Sequence, residues 1–207
     1  MVIRLIASIL FIVIQLVTYS QSISGEIMVV GGGSETNGGW SDEADSWAVS
    51  QADNKRVAII GADTDPSNWL PNYFANKCGA LLAKNFIITS SNANLQATYD
   101  SLVTYDMIFF RGGDQYDYYR QYRNTKTQEA VLDVFSRGGI IAGTSAGLHI
   151  LSEVVFTAQH GTVYPEEAIA DPYNSYITLK NDFLSLVPGT IFDSHVAERA
   201  RFARTIG

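Results

Sequence analysis

The run Gly143-Thr144-Ser145-Ala146-Gly147 sets a serine among glycines, with the apolar stretch Ile140–Ala142 before it and a helix-compatible stretch after it. A nucleophile elbow requires that context: a tight strand-to-helix turn that pushes the hydroxyl into the open. The helix start beneath the serine favours negative charge developing beside it. A serine hydroxyl is a weak nucleophile until a base removes its proton, and the chain holds three histidines. His149, four residues past Ser145, is expected along the elbow helix as a packing or surface residue. His160, in Gln159-His160-Gly161, reads as a solvated loop residue. His195 lies two residues past the expected strand Ile191-Phe192-Asp193, so elimination and placement make it the expected base. The acid that would orient it is open among Glu166, Glu167 and the nearby Asp171, all on a polar loop between serine and histidine. Gly113, in Arg111-Gly112-Gly113-Asp114-Gln115, could bring a backbone N–H to partner that of Ala146 in an oxyanion hole, although a plain turn explains its glycines equally well.

These loops need elements to position them. Ile27–Val30, Val57–Ile60, Phe86–Thr89, Met107–Phe110 and Ile140–Ala142 are apolar throughout, the mark of strands buried on both faces of a parallel sheet. Helix-compatible windows lie between them, among them Asp42–Ala52, Trp69–Lys84 and Thr125–Phe135, the last stopped by Gly138-Gly139. The alternation predicts an α/β fold, a three-layer α/β/α sandwich with a mostly parallel central sheet and the elbow after the fifth strand. Ligands of such sheets bind beyond the carboxyl ends of the strands, where the glycine-rich loops sit. After Gly147 the expectation is a strand pair at Val154–Thr157 and Ser175–Leu179, then a strand at Ile191–Asp193. Trp40, Trp47 and Trp69 are expected mostly as core.

Residues 1–20 read as a signal peptide: a basic start, the apolar run Leu5–Val17, then Thr18-Tyr19-Ser20. That run is short of the about 20 apolar residues a membrane span needs. The chain is therefore expected to be secreted (extracellular, periplasmic or lysosomal), with no membrane partner after cleavage. Residues 21–207 read as a single domain. A net charge of −7 argues against nucleic acid or an acidic membrane as partner, since either needs a basic face. Cys78 is the lone cysteine, so no intrachain disulfide forms, and its apolar neighbours predict an inert buried thiol in a helix. No His/Cys spacing suggests a metal site, and neither metal nor other cofactor is expected. A homodimer is compatible with the sequence.

Together the elbow, Gly112-Gly113-Asp114-Gln115, and Asp193-Ser194-His195 followed by Arg199, Arg201 and Arg204 resemble the cyanophycinase and aspartyl-dipeptidase family of serine peptidases. Val30-Gly31-Gly32-Gly33-Ser34-Glu35 fits it too, so the resemblance runs through nearly the whole mature chain. It implies a flavodoxin-like, class I glutamine amidotransferase-like fold. It also implies a serine-type exopeptidase that hydrolyses aspartyl or β-aspartyl peptide bonds, with a small aspartyl peptide as substrate. Ser145 would be the nucleophile, His195 the base and a Glu166 or Glu167 carboxylate the orienter. Asp114, Gln115, Asp193, Arg199, Arg201 and Arg204 would line the pocket. The chain departs from that pattern at Ser194, where cyanophycinases commonly carry glutamine, and at Pro165-Glu166-Glu167. It also stops at Gly207, so a missing C-terminal element is expected. An esterase of the α/β-hydrolase type shares the elbow, but usually separates serine from histidine by far more. A non-catalytic binding module on the same fold is the third reading, and here both serine and histidine are present.

Overall fold

The computed structural model describes residues 25–33, 38–63, 67–202 and 204; the expected signal peptide lies outside them. Five strands, β1 (Glu26–Val30), β2 (Arg56–Gly61), β3 (Leu82–Ile87), β4 (Met107–Phe110) and β5 (Ile140–Thr144), form one parallel sheet in the order β1-β5-β4-β2-β3. The unbroken apolar runs of the three inner strands β2, β4 and β5 follow from burial on two faces. Ala58, Ile60, Ile108, Phe110 and Ile141 enter one core, while Val57, Ile59, Met107, Phe109, Ile140 and Ala142 enter the other. Side chains alternate along a strand, so a strand covered on both sides needs an apolar residue at every position.

Helices α1 (Asp42–Gln51) and α2 (Trp69–Asn76) supply the second core through Ala48, Val49, Tyr73 and Phe74. Helices α3 (Gln96–Leu102), α4 (Gln115–Tyr122) and α5 (Lys126–Ser136) cover the other face with Leu102, Tyr118, Tyr122, Ala130, Val131 and Val134. The result is the three-layer sandwich. Tyr118 and Tyr122 are buried yet satisfied. Tyr118 donates to the carbonyls of Ile60 and Arg111, and Tyr122 to those of Gly61 and Ile88, so both phenols brace the carboxyl ends of the strands where the loops diverge.

A second sheet has the order β7-β6-β8, from β6 (Ser152–Phe156), β7 (Leu179–Lys180) and β8 (Val187–Ile191). β7 runs antiparallel to β6 with Phe156 opposite Leu179, so the expected pairing forms, but of the strand expected at Ser175–Leu179 only Leu179 is strand; β8 runs parallel to β6. The strand expected at Ile191–Asp193 ends at Ile191, leaving Phe192 to Ser194 as loop. Two short helices complete the chain, α6 (Ala146–His149) and α7 (Pro165–Ala170).

The helix expected through Lys84 stops at Asn76. Gly79, at φ +81, takes a left-handed turn that a helix cannot continue through, so Cys78 sits in the turn and β3 begins at Leu82. β3 is hydrogen-bonded only to β2, and as an edge strand it carries the polar Lys84 and Asn85 that disguised its first half. Trp40, Trp47 and Trp69 are all exposed, against the expectation that most are core.

Candidate active site

Ser145 joins β5 to α6 at φ 52, ψ −114, a region that a residue with a Cβ enters only under strain. Its N–H donates to the Val30 carbonyl at 3.1 Å, tying the turn to the end of β1. The two elbow glycines are required by close approach. A Cβ on Gly143 would lie 2.3 Å from the Gly147 carbonyl oxygen, and one on Gly147 2.1 Å from that of Phe110. Glycine at both places lets α6 lie down against the ends of β4 and β5.

The sheet order sets β1 beside β5, so the loop Gly31-Gly32-Gly33 flanks the elbow. His195 docks there: its N–H donates to the Gly31 carbonyl at 2.7 Å, and its own backbone is left-handed at φ 52. Its Nε2 lies 2.9 Å from Ser145 Oγ. Burial chiefly, then the charges of Arg199 and Arg201, hold the His195 pKa below its ordinary value, while Glu198 and Asp193 oppose them. The ring is therefore neutral at neutral pH and able to accept the serine proton. Gly32, at φ +119, faces the imidazole where its Cβ would stand, 2.4 Å from Cε1 and 2.5 Å from Nε2. Gly32→Ala should push the ring off Ser145 and lower kcat/KM by about a hundred-fold, the cost of an ångström-scale misplacement. Unfolding curves should show a far smaller change; full activity in the variant would mean that the ring position is not critical.

On the other side of β5, the loop after β4 packs against the nucleophile: a Cβ on Gly112 would lie 3.6 Å from Ser145 Cβ. Gly113 follows at φ +148, and Ala146 opens α6, where N–H groups have no intrahelical acceptor. Asp114 caps α4, accepting from the Tyr116 N–H at 2.8 Å, and Gln115 Nε2 donates to the Phe156 carbonyl at 3.2 Å. These contacts give both residues scaffold duties where pocket contacts were expected, although Asp114 still borders a small depression with Asp63, Gly113 and Asp117. A larger cavity of about 220 Å³, lined by Asp53, Asn54, Asp106 and Arg137, opens at the amino ends of the strands, away from Ser145.

The structure gives two of the candidate acids, and two of the arginines, partners of their own. Glu167 caps its own helix, accepting from the Tyr164 N–H at 2.9 Å, and Glu166 is exposed on α7. Asp171 ends α7 and accepts from the Tyr173 N–H. The carboxylates whose charges act on His195 are Glu198 and Asp193. Asp193 and Arg204 are paired with each other. Arg204 Nε donates to Asp193 Oδ2 at 2.7 Å and its Nη2 to Oδ1, with both side chains buried. Arg204 also donates to Thr162 and lies 4.5 Å above the Phe156 ring. Two opposite charges this deep pair with each other, since leaving either uncompensated is costly. Arg201, half-buried, donates to the Ser194 carbonyl at 3.1 Å, and burial with its arginine neighbours lowers its pKa to about 10. Arg199 is exposed. His160 is exposed, as expected, but His149 is deeply buried.

The peptidase family S51 model matches residues 27–205. No curated protein matches. Among solved structures, the chain is similar to a peptidase from an acI-B1 Actinobacterium, at 18% identity and a TM-score of 0.66, covering 91% of this chain and 75% of the other. It is also similar to a putative peptidase E protein from Listeria monocytogenes EGD-e, at 15% identity and a TM-score of 0.50, covering 80% and 76%. At these identities the structures speak for a shared α/β fold, and the family model for the rest: this chain belongs to peptidase family S51 and is a serine peptidase.

Proposed function

We propose that this peptidase hydrolyses aspartyl or β-aspartyl peptide bonds by acyl transfer through Ser145. The observation that carries the reading is the 2.9 Å approach of His195 Nε2 to a serine hydroxyl held on a strained elbow. Ser145 Oγ attacks the substrate carbonyl as Nε2 takes its proton. The N–H groups of Gly113 and Ala146 receive the developing oxyanion. His195 then returns the proton to the leaving amine, and water releases the acyl group by the same steps in reverse. With Arg204 spent on Asp193 and Arg201 on the Ser194 carbonyl, the exposed Arg199 is the one of these three arginines offered to a substrate carboxylate.

Arginine grips a carboxylate with a planar fork that lysine lacks, so Arg199→Lys should weaken transition-state binding by about 1–3 kcal/mol. The loss should fall on β-Asp-Arg and β-Asp-Leu and largely spare a neutral ester. Measuring kcat/KM for the three substrates checks this, and an equal loss on all three would remove the aspartyl specificity.

The acid limb of the rate profile tests the base. Protonated His195 cannot take the serine proton, so kcat/KM should fall as pH drops through its folded pKa, which lies below 6.5. Arg199→Gln removes a positive neighbour that disfavours the imidazolium, and should move the limb to higher pH. A limb that stays put, or moves down, would take His195 out of that titration.

A further inference from the structure

We infer that His149 is a positioning residue: together with Ser194 it forms a buried clamp between the helix that carries Ser145 and the loop that carries His195. The inference rests on the reading of Ser145 and His195 as nucleophile and base.

His149 is the last residue of α6, one turn beyond Ser145, and only 1% exposed. Its Nε2 lies 3.0 Å from Ser194 Oγ and 3.6 Å from Asp193 Oδ1. One imidazole therefore lies against both residues that lead directly into His195. The short helix has Ser145 at its head and this ring at its tail, so the clamp references the base to the same element as the nucleophile. Burial holds the ring neutral, with a pKa of about 4, which suits a hydrogen-bonding wedge and not an ion pair.

Ser194 is itself 2% exposed and turned inward. Arg201 grips it from the other side through its carbonyl, and Ser194 N–H donates to Asp193 Oδ1 at 2.7 Å. This accounts for the serine at 194: a hydroxyl fits beneath the loop against His149, and the side chain is committed there and not to the substrate. His195 needs such support. Its left-handed backbone is unfavourable for a residue with a Cβ and persists only when the surroundings over-determine it.

A small fluorophosphonate tests the clamp, because it reports on Ser145 activation while touching little of the substrate pocket. Labelling rates of the full chain would be compared for wild type, His149→Gln, His149→Leu, Ser194→Ala and the double variant His149→Leu/Ser194→Ala, alongside thermal melts. Leucine fills the space but cannot hydrogen-bond, so His149→Leu should label about ten- to a hundred-fold more slowly at temperatures well below its melt. Ser194→Ala should lose a similar factor, the double variant no more than either single one, and glutamine should restore most of the rate. A purely packing role would lower the melting temperature of His149→Leu and leave its labelling rate unchanged. If His149→Leu does not fold, Ser194→Ala carries the test, since it removes only one oxygen. A wild-type protein that labels normally, with variants that label as fast, would overturn the clamp alone. A wild-type protein that does not label at Ser145 would overturn the serine reading beneath it.

Discussion

Ser145→Ala should fold like the wild type and lose about a thousand- to a million-fold in kcat, the usual range for removing the nucleophile of a catalytic unit. Ser145 Oγ has one described partner, His195 Nε2, so its removal leaves no other group unsatisfied. The turn survives because it is built from the backbone: Ser145 N–H still reaches Val30, and Gly143 and Gly147 still pack against their neighbours. The elbow backbone is equally strained with alanine, so stability should stay within about 1 kcal/mol. Turnover with β-Asp-Arg and a melting curve on the same preparation check both halves. A variant with a tenth of wild-type activity would exclude Ser145 as nucleophile, and an unfolded one would mean that the hydroxyl does structural work unseen in its contacts.

The second large effect is on stability. Asp193→Asn or Arg204→Met should each cost about 3–5 kcal/mol, the range for stranding one member of a buried ion pair. The pair is bidentate, with side chains 6% and 2% exposed, and the guanidinium also lies over Phe156. For a chain of this size each kcal/mol shifts the melting temperature by about 2–4 °C. Removing both charges with Asp193→Leu/Arg204→Met should cost less than the two single losses summed, since neither charge is then left bare. Activity should fall on peptide and ester substrates alike, because Asp193 lies two residues before His195 and holds the loop. A loss confined to substrates with a basic group, at unchanged stability, would instead return Asp193 to the substrate pocket.

Much of this was legible in the residues themselves. A strand covered on both faces must be apolar at every position, so the three inner sheet strands announced themselves, and β3 was half hidden because an edge strand tolerates Lys84 and Asn85. The elbow was legible because its geometry is local: strand, glycine, serine, glycine and helix lie in sequence, and no distant residue is needed to recognise them. His195 could be singled out because only three histidines were available.

What the residues could not decide was everything that depends on which distant segments meet. That β1 lies beside β5 and not β2, which brings Gly31 and Gly32 against His195, is a property of the sheet order alone. The roles of the charged groups turned on burial. The family resemblance implied pocket roles for Asp193 and Arg204, but deep in the fold they pair with each other. Glu166, Glu167 and Asp171 read as candidates for the orienting acid by their place between serine and histidine, yet local capping of α7 claims Glu167 first. His149 read as packing because its helix was visible and its partner, a serine brought up from position 194, was not. Local periodicity is written along the chain, whereas the partner of a polar side chain is chosen by three-dimensional proximity and by the cost of leaving it buried and unpaired.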